Sequence, residues 1–314
     1  LTDMGGHIFA AESELTQVNG SKEDVLNQII RLVKKLEQEA RKKQLVLRGI
    51  GVGFSGIIAQ DGETIEVAAN LPMLAGVNIC NHLRENIKQD LPISMAGSGN
   101  CGVLAEKHLG GVKPDANLLF FLYGTGICVS VSFGERAIRG SKRNIFDFGH
   151  ITIEKNGKLC TCGNRGCLEA YAGSKAIKEQ AHQFAKQNPT SHLAQILEGM
   201  ENEGCKPIIE AAEAGDEDAL RIITSAARLV GEHLKDFVCF FSPDMIIFSG
   251  GLLVTNQVVP QAIQKSLQAG MNDDQYGKIE IRIAKFGKFA AALGATRLVT
   301  RQIFGTPLLE ILSI

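Results

Sequence analysis

The stretch Asp147–Glu169, DFGHITIEKNGKLCTCGNRGCLE, constrains this chain more than any other part of it. Cys160, Cys162 and Cys167 fall within one glycine-rich loop, and His150 lies ten residues before the first of them. Three thiolates and an imidazole make the donor set of a closed, tetrahedral structural Zn2+ site. Gly163 and Gly166 lie between the sulfurs, so a short loop can bend around one ion without strained backbone. Three unpaired thiols beside an unrelated histidine fit less well, because free cysteine is ordinarily a dispersed, buried small hydrophobe. A redox pair is disfavoured too: one and four residues separate successive cysteines, and no CxxC occurs. Asp147 and Glu169 bracket the cluster. An ion held there would fix the spatial relation of two carboxylates that can accept hydrogen bonds from ligand hydroxyl groups.

The run GHITIEKNGKLCTCGNRGCLEAYAG resembles the zinc-binding signature of the ROK family of repressors, open reading frames and kinases, a GH followed by a CxCGxxGCxE loop. The resemblance implies that His150, Cys160, Cys162 and Cys167 are zinc ligands, and that Asp147, His150 and Glu169 contact a sugar. Asp147 stands where the family has Glu, one methylene longer.

At about 100–200 residues per domain, 314 residues are enough for two lobes. Lys plus Arg number 33 against 34 Asp plus Glu, so there is no electrostatic footprint for nucleic acid. No apolar run approaches the roughly 18 residues of a membrane span, and the start has no signal-peptide pattern. Five cysteines outside the loop, Cys80, Cys101, Cys128, Cys205 and Cys239, are scattered without a framework, as expected of reduced thiols in the cytoplasm.

Gly5-Gly6 reads as a two-residue hairpin turn rather than a phosphate-binding turn. ROK proteins carry a similar hairpin after their first strand, which implies that this chain begins inside the fold with that strand missing. Ser21 offers an N-cap with Asp24 three positions on, and apolar residues from Val25 to Leu36 recur at helical spacing up to Arg41. The interleaved lysines and arginines read as a solvated face rather than a DNA contact. Val46–Phe54 reads as a strand and Ile79–Lys88 as a helix. By the resemblance, Gly56 and Asn70 lie near the sugar; their other reading is as turn residues.

The strand at Ile93–Ala96 leads into Gly97-Ser98-Gly99-Asn100 and a helix with Leu104-Ala105-Glu106. This resembles the family's Asn-Asp-x-Asn segment, whose Asp is the general base of the kinases. Here Gly97 and Ser98 occupy the Asn and Asp positions. A serine has no basicity at pH 7 to replace a carboxylate of pKa near 4, and general-base assistance is worth roughly 100- to 10,000-fold. After the buried strand Leu118–Tyr123 and Gly124-Thr125-Gly126, Cys128 and Ser130 stand where the kinases have further glycines near nucleotide phosphates. The basic run Arg136–Arg143 reads as a solvated loop. Helical patterns follow at Ser174–Lys186, Thr190–Gly199, Pro207–Ala214 and Glu217–Phe241. Strands are expected at Met245–Phe248 and Ile279–Ala284, and a closing helix at Ala290–Ile303.

Strands alternating with helices in both halves argue for an α/β protein. The resemblance makes it a two-lobed actin-like ATPase (ribonuclease H-like) fold with a ligand cleft between lobes and a zinc-binding loop at 150–167. The expected lobes are 1–112 and 113–314, with room for the final helix to return to the N-terminal lobe. The function implied is that of a sugar-responsive transcriptional regulator of N-acetylglucosamine- or xylose-repressor type, lacking the kinase carboxylate at Ser98. Its expected partners are a sugar or sugar-phosphate effector bound by Asp147, His150, Glu169, Gly56, Asn70 and Ser98, and operator DNA held by an upstream helix-turn-helix outside this chain. A homodimer or homotetramer is expected, with structural Zn2+ and no membrane. The alternative is an ATP-dependent sugar kinase of glucokinase or N-acetylhexosamine kinase type.

Overall fold

A computed structural model describes residues 1–88, 90–139, 147–200, 203–305 and 312–313. In chain order its elements begin with helix α1 (Lys22–Lys42), strands β1 (Ile50–Phe54), β2 (Ile57–Ile58) and β3 (Ile65–Val67), α2 (Ile79–Asn86), β4 (Ile93–Gly97) and α3 (Ser98–His108). Then come β5 (Leu118–Tyr123), β6 (Ile127–Phe133), β7 (Arg136–Arg139), α4 (Glu169–Ala172), α5 (Ser174–Gln187), α6 (His192–Leu197), α7 (Lys206–Glu213) and α8 (Glu217–Phe241). The chain closes with β8 (Met245–Ser249), α9 (Gly251–Val254), α10 (Val258–Ala269), α11 (Asp273–Gly277), β9 (Glu280–Ile283), α12 (Ala290–Phe304) and β10 (Leu312–Ser313). These fall into two compact units: Leu1–Asp115 with Ser130–Ile145 and Phe289–Ile314, and Ala116–Val129 with Phe146–Lys288.

In the first unit, Ser21 and Asp24 start α1 through a reciprocal capping box: the Ser21 amide donates to the Asp24 carboxylate at 2.8 Å, and the Asp24 amide to the Ser21 hydroxyl at 3.2 Å. Val25, Leu26 and Ile30 bury one face of the helix against Ile65, Leu74, Ile79, Leu83, Ile93 and Met95. Parallel pairing of β1 with β4 ends at Phe54 opposite Gly97, so Ser55 and Ser98 leave the two strands side by side. Helix α12 crosses α3 closely enough that a Cβ on Gly294 would lie 1.6 Å from the Cys101 carbonyl oxygen.

The loop before α1 is tied to that helix by Glu14, which binds Arg31 and lies 3.0 Å from the Lys35 ammonium. The Arg31 and Lys35 hydrogen bonds hold its carboxyl down at about 2. A depressed carboxylate stabilises fully above its unfolded pKa and loses that contribution as pH falls. The melting-temperature difference between wild type and Glu14→Gln is therefore expected to be constant above about pH 5 and to shrink between roughly pH 4.5 and pH 2. A pH series of thermal melts on both proteins checks this.

In the second unit β5, β8 and β9 lie side by side in that order, all parallel. The buried apolar run Leu118–Tyr123 is what a strand covered on both faces requires. Asp216 caps α8, which ends where Ser242 adopts a left-handed conformation (φ 48°) just before Pro243.

Several boundaries differ from the sequence reading. The apolar run at Val46 is not yet strand, because Gln44 turns with φ 54° and the Leu45 amide closes back on the Ala40 carbonyl; β1 begins at Ile50. The turn at Gly5-Gly6 closes only an isolated antiparallel bridge between Thr2 and Ile8. The start of the basic run, read as a loop, is strand β7: Ala137 and Ile138 are buried, and Ser132 pairs with Ala137 around the Gly134 turn. The rest of that run lies outside the described residues.

Candidate functional site

The segment before the cysteine loop is anchored by aromatic packing. Phe148 is buried, and its ring meets Phe121 and Phe237 edge-on at centroid distances of 6.1 Å. A 3-10 turn, closed by the His150 amide on the Asp147 carbonyl at 2.8 Å, brings His150 beneath the loop and leaves Asp147 exposed. The loop is a distorted hairpin, with bridges at Thr152–Cys167 and Leu159–Arg165. Gly166 makes it possible: its φ is +77°, and a Cβ there would fall 1.7 Å from the Glu154 carbonyl oxygen.

This backbone gathers the four predicted donors. The ligand atoms of His150, Cys160, Cys162 and Cys167 all lie within 4.8 Å of one another. Cys160 Sγ is 3.6 Å from His150 Nδ1, and Cys162 Sγ is 3.7 Å from Cys167 Sγ. The sulfur separation is far beyond a disulfide bond of about 2.05 Å. A tetrahedral ion with bonds of about 2.3 Å to sulfur and about 2.05 Å to nitrogen has edges of about 3.8 Å and 3.6 Å, which the two separations match. Burial first, and then the two neighbouring sulfurs, push the Cys167 thiol up to about 12. A buried thiol such as Cys167, which resists ionisation alone, becomes a stable thiolate when a cation sits beside it. The four residues can therefore hold a metal ion.

Glu169 follows two residues after Cys167 and begins α4. Its carboxylate accepts the Ile127 amide at 2.9 Å and lies 3.0 Å from where a Cβ on Gly126 or Gly149 would be. Both glycines thus leave room for the carboxylate. Burial first, and then the nearby charges of Asp147 and Glu169, push the Cys128 thiol up to about 12.

The remaining predicted residues lie in the first unit. Ser98 opens α3, and its hydroxyl lies 2.9 Å from that of Ser55, a residue the sequence reading passed over. No acidic residue stands in the first turn of α3, and its cap, Gly97, has no side chain to offer. Gly56 is neighbour to this pair; a Cβ there would meet the Val67 carbonyl oxygen at 2.4 Å and the Phe54 ring at 2.6 Å. Asn70 is exposed on the turn after β3. Tyr171, also unremarked in the sequence, reaches back to the metal loop, its oxygen accepting the Lys158 amide at 2.9 Å.

A family model described as the ROK family matches residues 1–302. The chain belongs to the ROK family. It is 24% identical over 309 residues to the xylose repressor of Caldicellulosiruptor bescii, covering 98% of this chain and 76% of that protein. It is 23% identical over 305 residues to the glucokinase of Thermotoga maritima, covering 97% and 94%. Among solved structures, a ROK family glucokinase from Streptomyces griseus in complex with glucose and AMPPNP superposes with a TM-score of 0.83 at 24% identity, covering 96% of this chain and 94% of that one. The α/β architecture is thus the two-lobed actin-like fold of ROK proteins. Among the described residues, no helix is long and apolar enough to cross a membrane.

Proposed function

We propose that this ROK chain is the effector-binding and oligomerisation part of a sugar-responsive transcriptional regulator. Ser98 carries the reading. It opens α3 directly after β4, its partner is the neutral hydroxyl of Ser55, and no carboxylate follows in the first turn. A hydroxyl pair can bind a sugar hydroxyl but cannot take its proton at neutral pH. The likeness to a xylose repressor over nearly the whole chain agrees with sensing rather than turnover.

Zn2+ is the ion we assign to His150, Cys160, Cys162 and Cys167, since a thiolate-rich tetrahedral donor set with no open position suits a structural zinc. Its task is to hold the loop so that Asp147, His150 and Glu169 are in place for sugar hydroxyls. Gly56, Asn70 and Ser98 complete the proposed contacts. A sugar or sugar phosphate then favours one arrangement of the protein, and operator DNA, held by a helix-turn-helix outside this chain, responds through linkage. A cytoplasmic homodimer or homotetramer is the assembly this reading expects.

The second reading is an ATP-dependent sugar kinase. Glycine turns stand at the carboxyl ends of the adjacent parallel strands β5 and β8, with the Cβ position of Gly124 only 3.6 Å from the Gly251 amide. Such turns can approach a phosphate closely. The likeness to glucokinases favours it as well.

Two measurements test the proposal, the first its sugar binding and the second its distinction from a kinase. Thermal-shift screening of free sugars and sugar phosphates is expected to find a stabiliser, worth about 2.7 kcal/mol at 100 times its dissociation constant, and Glu169→Ala is expected to abolish that shift. With the same sugars and MgATP, ADP release is expected to stay at least a hundredfold below the roughly 10 per second of an ordinary enzyme. Turnover at that ordinary rate would establish the kinase.

A further inference from the structure

The metal loop is held from outside by a residue that is neither a proposed ligand nor a proposed sugar contact. Tyr171 lies in α4, two residues beyond Glu169. Its amide donates to the Leu168 carbonyl at 3.0 Å, and its carbonyl accepts the Gln180 side chain from α5 at 2.9 Å, so the residue stands on helical ground. Its phenol oxygen accepts the Lys158 amide at 2.9 Å, and the Lys158 ammonium lies 5.0 Å from the centre of its ring. The Lys158 carbonyl in turn accepts the Gly166 amide at 2.8 Å, one residue before Cys167. Gly157 leaves the opening for the phenol, since a Cβ there would lie 2.1 Å from its oxygen.

We propose that Tyr171 is the positioning residue of the metal loop, its phenol oxygen holding Lys158, and through it both strands of the hairpin, against the turn that bears Glu169. This rests on the metal reading of the cluster. The lever is the hydrogen bond: Lys158 lies two residues before Cys160 and bonds beside Cys167, so one acceptor orders donors on both sides of the loop. Tyr171 thereby couples metal retention to the placement of the Glu169 carboxylate.

The test uses the whole chain loaded with Zn2+, and separately with Co2+, whose thiolate absorption reports the coordination directly. Tyr171→Phe keeps the ring and removes only the acceptor; Gly157→Ala keeps the phenol and blocks its approach, its methyl also meeting Glu154 Cγ at 2.8 Å and Cβ at 3.0 Å. Each is expected to speed metal release to excess chelator by about fivefold to tenfold, the scale of one lost hydrogen bond. The double variant is expected to be no worse than the poorer single, because both act on one contact. Melting temperatures of the metal-free variants within about 2 °C of metal-free wild type would show that packing is intact. Release from Tyr171→Phe at the wild-type rate, or effects that multiply in the double variant, would overturn the proposal. If wild type binds neither ion, the metal reading falls. The Lys158 amide still tests the contact, with exchange expected about tenfold faster in Tyr171→Phe and equal exchange in both overturning it.

Discussion

Cys167→Ser is expected to reduce metal content from one ion per chain to below roughly a tenth, and to lower the thermal transition of the second unit by about 10 °C. Cys167 is fully buried and joins the sulfur pair to the turn of Glu169, so no water can substitute for it without opening the hairpin. A serine hydroxyl does not ionise at neutral pH and is a poor partner for a cation that prefers thiolate. Loss of a structural metal belongs to the class of changes costing more than about 4 kcal/mol, and each kcal/mol shifts the midpoint by about 2–4 °C in a unit of this size. Metal analysis after dialysis and calorimetry of both proteins check the two expectations. Chelation of wild type should reproduce the shift of the variant, and Zn2+ should reverse it in wild type only. Because binding displaces a proton from the Cys167 thiol, which burial holds neutral, wild-type affinity should also weaken as pH falls. A variant that retained one equivalent of ion would remove Cys167 from the ligand set.

How much of this was legible beforehand depended on where the information lies. The Ser21 and Asp24 cap and the long helix α8 are local: a capping pair, an apolar stripe at helical spacing and a stop at Ser242-Pro243 are enough to define them. The metal loop is local too, because its donors are side chains close in sequence and its glycines state where the backbone must turn. By contrast, β7 is four residues long, and its two arginines outweigh the buried Ala137 and Ile138 that reveal the strand. The ribbon of β2 and β3 is shorter still, below the length at which alternation can be read.

Ser55 and Tyr171 were invisible for another reason. Each acts through a hydrogen bond to a group distant in the chain, Ser98 in one case and the backbone of Lys158 in the other. Nothing in residue type marks a hydroxyl as the partner of another 43 positions on. Gly157 gave no separate signal, because it closes the Asn156-Gly157 turn on the Glu154 carbonyl; only the structure shows that a Cβ there would also meet the phenol oxygen at 2.1 Å.

Gly294→Ala gives the second large effect, and its sign is settled by comparing two terms. In the interior of α12 the substitution ought to stabilise by about 1 kcal/mol, the ordinary helix-propensity gain of alanine over glycine. Here the new methyl would lie 1.6 Å from the Cys101 carbonyl oxygen and 2.3 Å from its carbonyl carbon, and both are backbone atoms of α3 that cannot rotate aside. Relief requires the two helices to separate by more than 1 Å, which opens the cluster formed by Ala96, Cys101 and Ala295. Overpacking that moves backbone costs about 1–3 kcal/mol and occasionally more, and a contact this short stands at the upper end. The net expectation is destabilisation of the first unit by about 2–3 kcal/mol, seen as a fall of roughly 4–12 °C in its thermal transition. Since α3 begins at Ser98, its displacement should also disturb the Ser55 and Ser98 pair, so sugar-induced stabilisation should fall while metal content, held in the second unit, stays at one ion per chain. A stabilised Gly294→Ala would show that the two helices can part at little cost.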